Sequence, residues 1–128
     1  MLEFPGRYGR VVDVRIAFIG LGAMGRRMAA RLQCAGHEPT LHDLRREAAD
    51  ALVAAGTHWA DDAAHAAKGT EILFTSLPGP AEVEAVALGA SGVRDALPAG
   101  SAWFDLTTNS PDCVRRLHVA MLERGVLD

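Results

Sequence analysis

Three glycines in a G-x-G-x-x-G arrangement, Gly20, Gly22 and Gly25, are the residues whose type and spacing most clearly indicate chemistry. They follow an apolar run, Ile16–Ile19, and precede apolar residues at helical spacing. We expect Gly20 to allow a tight turn, Gly22 to let the backbone approach a phosphate, and Gly25 to let the helix lie close to the strand. Because the start of a helix attracts anions, this turn is predicted to hold a pyrophosphate.

An acidic residue, Asp43, lies 18 residues after Gly25, where a second strand is predicted to end. A carboxylate at that place can accept hydrogen bonds from the ribose hydroxyls of an adenosine. Aspartate is also a favoured N-cap, and Asp43 directly precedes a predicted helix over residues 44–55. The sequence leaves both roles open, and one residue could serve both.

A strong apolar strand is predicted over residues 71–77, and Pro78 follows its last residue, Leu77. In a doubly wound sheet, ligands bind just beyond the carboxyl ends of the strands. Leu77 and Pro78 would then lie beside a bound cofactor. Composition alone fits a plain strand-to-helix turn almost as well, with Pro80 opening the next helix.

Hydroxyl groups follow the next predicted strand, which covers residues 101–106. Ser110 and Pro111 form a typical helix start and so explain part of this polar cluster. Thr107 and Thr108 precede that start and are not explained by it. They are therefore candidates for contact with a ligand.

Strands and helices alternate along the chain without an internal repeat. This order predicts an α/β fold, a Rossmann-like doubly wound parallel sheet with strand order 3-2-1-4-5. A minor third strand is expected over residues 57–60 and a short helix near residues 61–67. Residues 126–128 resemble the entry to a further strand, so we expect the sheet to lack its last strand or strands.

The 128 residues are 49% apolar and carry a formal net charge of -3, values typical of one globular domain. Charges are spread without a basic block, which argues against a nucleic-acid partner. No apolar stretch approaches the roughly 20 residues of a membrane span, so we expect a cytoplasmic protein without a membrane partner. Cys34 and Cys113 lack metal-binding spacing, and neither a disulfide nor a metal site is predicted.

The motifs together resemble the β-hydroxyacid dehydrogenase family, which includes 3-hydroxyisobutyrate, tartronate semialdehyde and 6-phosphogluconate dehydrogenases. The resemblance covers residues 15–128 and is carried by residues 20–25, Met28-Ala29, Leu77-Pro78 and residues 105–111. Imine reductases resemble the glycine motif but usually lack the Leu-Pro pair. The resemblance implies cofactor contacts as follows: the pyrophosphate at Gly20, Leu21, Gly22, Ala23, Met24 and Gly25, the adenosine ribose at Asp43, the adenine-ribose side at Leu77 and Pro78, and the nicotinamide end at Thr108.

Two departures from the family pattern concern the cofactor. Relatives that use NADP often carry Asn-Arg-Thr where this chain has His42-Asp43-Leu44, and a carboxylate there repels a 2′-phosphate. NAD is therefore the expected cofactor, while Arg45 and Arg46 leave NADP open because a guanidinium pairs well with phosphate. Glu82 stands where relatives often place an asparagine against the cofactor.

The larger departure concerns catalysis. Relatives hold their substrate with a Ser-Gly-Gly turn and transfer a proton through a lysine in a Gly-x-x-x-Lys helix. This sequence contains neither motif, and its one lysine is Lys68. We therefore expect no catalytic residue here, and a small hydroxy-acid substrate only for a full-length form.

These patterns give a definite domain organisation. Residues 1–14 are expected to be a leader that can be disordered, and residues 15–128 a truncated dinucleotide-binding domain without the helical C-terminal domain of relatives. The favoured function is NAD(P) binding, as the cofactor-binding part of a β-hydroxyacid dehydrogenase that we do not expect to be catalytic alone. The alternative is a non-catalytic nucleotide-binding or interaction module.

Overall fold

The fold is a parallel sheet of five strands with order 3-2-1-4-5, flanked by helices on both faces. The computed structural model describes residues 14–128, so all but the last residue of the predicted leader lies outside the described residues. The strands and helices are β1 (Ile16–Ile19), α1 (Ala23–Cys34), β2 (Thr40–His42), α2 (Asp50–Ala54), β3 (His58–Trp59), α3 (Ala63–Ala67), β4 (Ile72–Thr75), α4 (Pro80–Leu88), β5 (Ala102–Asp105) and α5 (Pro111–Glu123).

Strand β1 is the centre of the sheet, with β2 and β4 paired in parallel on its two sides. All four of its residues are buried, as a strand covered on both faces requires. The predicted α/β class and strand order are confirmed. The loops that follow β1, β2, β4 and β5 therefore lie along one edge of the sheet.

Two apolar clusters cover the faces of the sheet. One cluster joins Ala17, Ile19, Leu73 and Trp103 to helices α3, α4 and α5. The other contains Phe18 and Leu41 and packs against α1 and α2. Burial of these side chains on both faces is the main force that holds the sheet in place.

The helix predicted over residues 44–55 is shorter than expected. A 3-10 turn, Arg46–Ala49, comes first, and α2 then covers only Asp50–Ala54. The Asp43 carboxylate accepts a hydrogen bond from the Arg45 N–H (2.9 Å), and Arg45 is extended. This local bond competes with the helix, and Asp43 is not the N-cap of either the 3-10 turn or α2, so the alternative that it caps a helix is wrong.

Local signals placed the other helices well. Helix α4 begins at Pro80, and α5 begins after Ser110, whose hydroxyl accepts a hydrogen bond from the Cys113 N–H (3.2 Å). After α5, Leu127 bridges Ala102 in parallel, as predicted for the entry to a further strand. Within residues 14–128, none of the helices has the length and apolar character needed to cross a bilayer.

Candidate functional site

A cleft of about 760 Å³ opens at the carboxyl edge of the sheet. Loops after all five strands contribute to it, so the cleft lies where ligands bind in doubly wound sheets. Nine of the ten residues predicted as cofactor contacts line it. These are Gly20, Gly22, Ala23, Met24, Gly25, Asp43, Leu77, Pro78 and Thr108.

Two of the glycines are required by the packing of the turn itself. Gly20 has φ +99°, and a Cβ there would overlap the carbonyl group of Ser76 at the end of β4. A Cβ on Gly25 would overlap the carbonyl oxygen of Gly20. The expected roles of Gly20 in a tight turn and of Gly25 in close helix packing therefore agree with this geometry.

The third glycine, Gly22, has a different environment. A Cβ built on it would meet no atom within 4 Å, and its backbone is not strained. Nothing inside the fold therefore demands glycine at this position. The space beside Gly22 belongs to the cleft.

Gly22 is also the N-cap of α1, and it supplies no side-chain hydrogen bond to the first turn. The first turn carries no acidic residue either. Since the first N–H groups of a helix have no partner within the helix, those of α1 are left for an anion. This arrangement can bind a phosphate through backbone atoms alone.

Asp43 ties the loop after β2 to the glycine turn. Its Oδ2 accepts a hydrogen bond from the Leu21 N–H at 2.7 Å, and the Gly20 N–H donates to the His42 carbonyl oxygen at 3.0 Å. Each carboxylate oxygen can accept a second hydrogen bond, so Asp43 keeps acceptor capacity for a ligand. The carboxylate is thus held rigidly beside the helix start.

Leu21 is the one predicted contact that does not line the cleft. Its side chain is 2% exposed and packs in the cluster with Phe18 and Leu41. Only its N–H takes part in the site, through Asp43. The side chain anchors the turn to the core below it.

The loops after β4 and β5 are joined to each other in the cleft. The Leu77 N–H donates to the Thr107 hydroxyl at 2.9 Å, and Thr108 lies exposed beside them. The sequence marked Thr107 only as a candidate, and this contact shows that it joins the two loops. No sequence signal pairs two residues that are 30 positions apart.

A further wall of the cleft comes from residues that the sequence did not indicate. It is formed where the start of α3 meets the end of α4, and the Ala64 N–H donates to the Ser91 carbonyl oxygen at 2.9 Å. Asp61, Asp62 and Ala90 line this wall. Asp62 is the N-cap of α3, because its carboxylate accepts a hydrogen bond from the His65 N–H at 2.7 Å.

The charges around the cleft are negative. Four carboxylates line it, those of Asp43, Asp61, Asp62 and Glu82, and the described residues that line it include no lysine or arginine. The attraction for a pyrophosphate must therefore come from the backbone and dipole of α1. Phosphate outside the reach of that helix start would meet repulsion.

Comparison with known proteins identifies the family of this chain. The model of the NAD binding domain of 6-phosphogluconate dehydrogenase matches residues 15–127. The chain belongs to this family. It is an NAD(P)-binding domain of the β-hydroxyacid dehydrogenase kind, which confirms the resemblance found in the motifs.

Individual relatives cover nearly the whole domain. The NAD-dependent L-serine dehydrogenase of Pseudomonas aeruginosa is 38% identical over 88% of this chain. Mycobacterium tuberculosis 3-hydroxyisobutyrate dehydrogenase, solved with L-serine, superposes with a TM-score of 0.80 at 30% identity over 89% of the chain. A reductive aminase of Aspergillus terreus, solved with NADPH and ethyl levulinate, gives 0.74 at 31% identity over 88% of the chain. The chain spans 38% of the length of each of these proteins.

Proposed function

We propose that residues 15–128 bind NAD in the cleft and present its nicotinamide to the substrate site of a dehydrogenase. The observation that carries this proposal is the start of α1. Gly22 leaves room for a ligand, no side chain caps the start of the helix, and Asp43 lies beside it. A dinucleotide needs these three features together, a phosphate cradle, a helix dipole and a ribose acceptor.

Each part of the cofactor has a proposed partner. The backbone of residues 20–25 holds the pyrophosphate, and Asp43 accepts from the adenosine ribose. Leu77 and Pro78 contact the adenine-ribose side, and Thr108 contacts the nicotinamide end. The positions of these residues around one cleft, from its glycine turn to the loop after β5, support this order.

NAD is proposed over NADP. A 2′-phosphate on the adenosine ribose would face Asp43, with Asp61 and Asp62 on the same cleft. Arg46, which could have balanced it, stacks over the Trp59 ring at 5.5 Å, and neither Arg45 nor Arg46 lines the cleft. Tighter binding of NADH than of NADPH is therefore expected.

Catalysis is proposed to need residues beyond those described. Hydride transfer requires a base that takes the alcohol proton, and Lys68 ends α3 without lining the cleft. A small 3-hydroxy acid is the proposed substrate class of a full-length protein, in keeping with the names of the relatives. We further propose that the domain organisation is a leader followed by this domain, in a cytoplasmic protein without nucleic-acid or membrane partners.

The test is a calorimetric titration of the protein with NADH and with NADPH. Wild type is expected to bind NADH with a measurable Kd and NADPH more weakly. Gly22→Val should weaken NADH binding at least about a hundredfold, because the side chain would occupy the phosphate position, while its Cβ would meet no atom of the fold within 4 Å.

The matched control is Gly79→Val. Gly79 is the N-cap of α4 and likewise lacks a side-chain cap, but it does not line the cleft. Its Kd for NADH should stay within about twofold of wild type. No saturable binding by wild type, or unchanged affinity in Gly22→Val, would contradict the proposal.

A further inference from the structure

A chain of side-chain hydrogen bonds crosses the last two strands just below the cleft. The Trp103 indole N–H donates to the Thr75 hydroxyl at 2.9 Å, and that hydroxyl donates to the Asp105 carboxylate at 2.8 Å. Thr75 and Asp105 are directly paired across β4 and β5. Both Thr75 and Trp103 are buried, so these bonds are shielded from water.

The Asp105 carboxylate is the point where this chain meets the loop after β5. The same Oδ1 accepts from the Thr107 N–H at 3.2 Å, and Oδ2 accepts from the Asn109 side-chain amide at 3.2 Å. Three donors thus converge on one side chain from a strand and from two loop residues. Such charge-assisted bonds are stronger than bonds between neutral groups.

The held loop in turn fixes the turn after β4. The Thr107 hydroxyl accepts from the Leu77 N–H at 2.9 Å, and both residues line the cleft. Thr75 does not line the cleft, and Asp105 does not line it either. Any influence of this pair on a cofactor must therefore pass through Thr107 and Leu77.

We propose that Asp105 is a positioning residue for the nicotinamide half of the cofactor. Held by Thr75, it fixes the Thr107-Thr108 loop against Leu77 and so sets the shape of that end of the cleft. This inference rests on the proposed function. It predicts that loss of the relay weakens the binding of a whole dinucleotide by a larger factor than the binding of its adenosine diphosphate half, because Thr107 and Thr108 lie at the nicotinamide end and only Leu77 belongs to the adenine-ribose side.

The experiment measures Kd by calorimetry for two probes, NADH and ADP. Asp105→Asn removes the charge from the relay, and Thr75→Val removes its donor by a nearly isosteric change at a residue that does not line the cleft. In both variants the Kd for NADH should rise about tenfold, the equivalent of roughly one lost charge-assisted hydrogen bond. The Kd for ADP should rise no more than about threefold, because ADP lacks the half of the cofactor that meets Thr108.

The matched control is Thr70→Val. Thr70 is also a buried threonine, its hydroxyl donates to the Ala66 carbonyl oxygen at 2.9 Å, and it does not line the cleft. This variant should keep both affinities. Thermal unfolding of all variants verifies that the compared proteins are folded. If Asp105→Asn is not folded, Thr75→Val alone tests the positioning role.

The results separate the two levels of the proposal. The positioning role would be overturned if Thr75→Val and Asp105→Asn kept the wild-type affinity for NADH, or if they lost affinity for NADH and ADP equally. In that case the proposed function would still stand, provided that the wild type binds NADH. A wild type that binds neither probe would overturn the proposed function, and the positioning role with it.

Discussion

Two helices, α1 and α5, begin at the same edge of the sheet, but their first turns are built differently. Helix α5 satisfies its own start: the Ser110 hydroxyl accepts from the Cys113 N–H, Pro111 has no N–H to satisfy, and Asp112 adds a negative charge. Helix α1 has Gly22 as its cap, with neither a side-chain cap nor an acid in its first turn. The start of α5 is thus satisfied by its own residues, whereas the N–H groups at the start of α1 are free to bind an anion.

The difference shows how a repeated fold unit can be assigned to stability or to binding. A strand followed by a helix occurs at both places, so topology alone does not separate them. The residues at the N-cap and in the first turn of each helix distinguish the two places. An unsatisfied helix start whose glycine faces open space is a better sign of a ligand than the glycine spacing alone.

The largest expected effect comes from Gly25→Ala, which tests the packing of the α1 start. The new methyl group would overlap the Gly20 carbonyl oxygen, and backbone cannot move as easily as a side chain. We expect a loss of about 3 kcal/mol in the free energy of unfolding. Urea denaturation followed by circular dichroism measures it.

Gly22→Ala is the matched control for that variant, because its methyl group would meet no atom within 4 Å. It should cost no more than about 1 kcal/mol of stability, because alanine is a poorer N-cap than glycine but meets no clash. Equal stability of the two variants would mean that α1 does not pack as closely on its turn as described.

Ser110→Ala tests the self-satisfied start of α5. Removal of the hydroxyl leaves the Cys113 N–H without its cap, which should cost about 1 kcal/mol of stability. Ser110 does not line the cleft, so the Kd for NADH should stay within about twofold. A large change in Kd without a change in stability would reverse the roles assigned to the two helices.

Met24→Glu gives α1 the acid that its first turn lacks, and thereby makes it resemble α5. Met24 is 64% exposed, so glutamate can be accommodated at little steric cost. Interaction with the helix dipole should raise stability by about 0.5 kcal/mol at low salt. The same charge should weaken NADH binding several-fold, because it competes with the pyrophosphate.

The two readouts of Met24→Glu are measured by urea denaturation and calorimetry. Opposite signs for stability and affinity are the expected signature of a helix start reserved for an anion. An exposed apolar residue near the start of α5 serves as the control: Val114→Glu lies outside the cleft and should leave the Kd unchanged. A gain in NADH affinity in Met24→Glu would contradict the pyrophosphate assignment.

Much of the fold could be predicted because its signals are local. The apolar run Ile16–Ile19 gave the central strand, and Pro80 and the Ser110-Pro111 pair gave two helix starts. Alternation of strands and helices predicted a parallel sheet, and the expected strand order 3-2-1-4-5 is the observed one.

The parts that could not be predicted depend on residues far apart in the chain. The Leu21 N–H reaches Asp43 across 22 positions, and Thr75 reaches Asp105 across 30. These contacts exist only once strand register is set, and no local pattern encodes them. The short bond from Arg45 to Asp43 likewise outweighed the helical pattern of residues 44–55.

The two tryptophans of the chain lie in unlike surroundings, which gives the protein two separate optical reporters. Trp103 is 2% exposed within the core between β5 and the helices, so its emission follows global unfolding. Trp59 is half-buried, and its indole N–H donates at 2.9 Å to Asp61, which lines the cleft. Intrinsic fluorescence can therefore distinguish loss of structure from a change at the cleft without any added label.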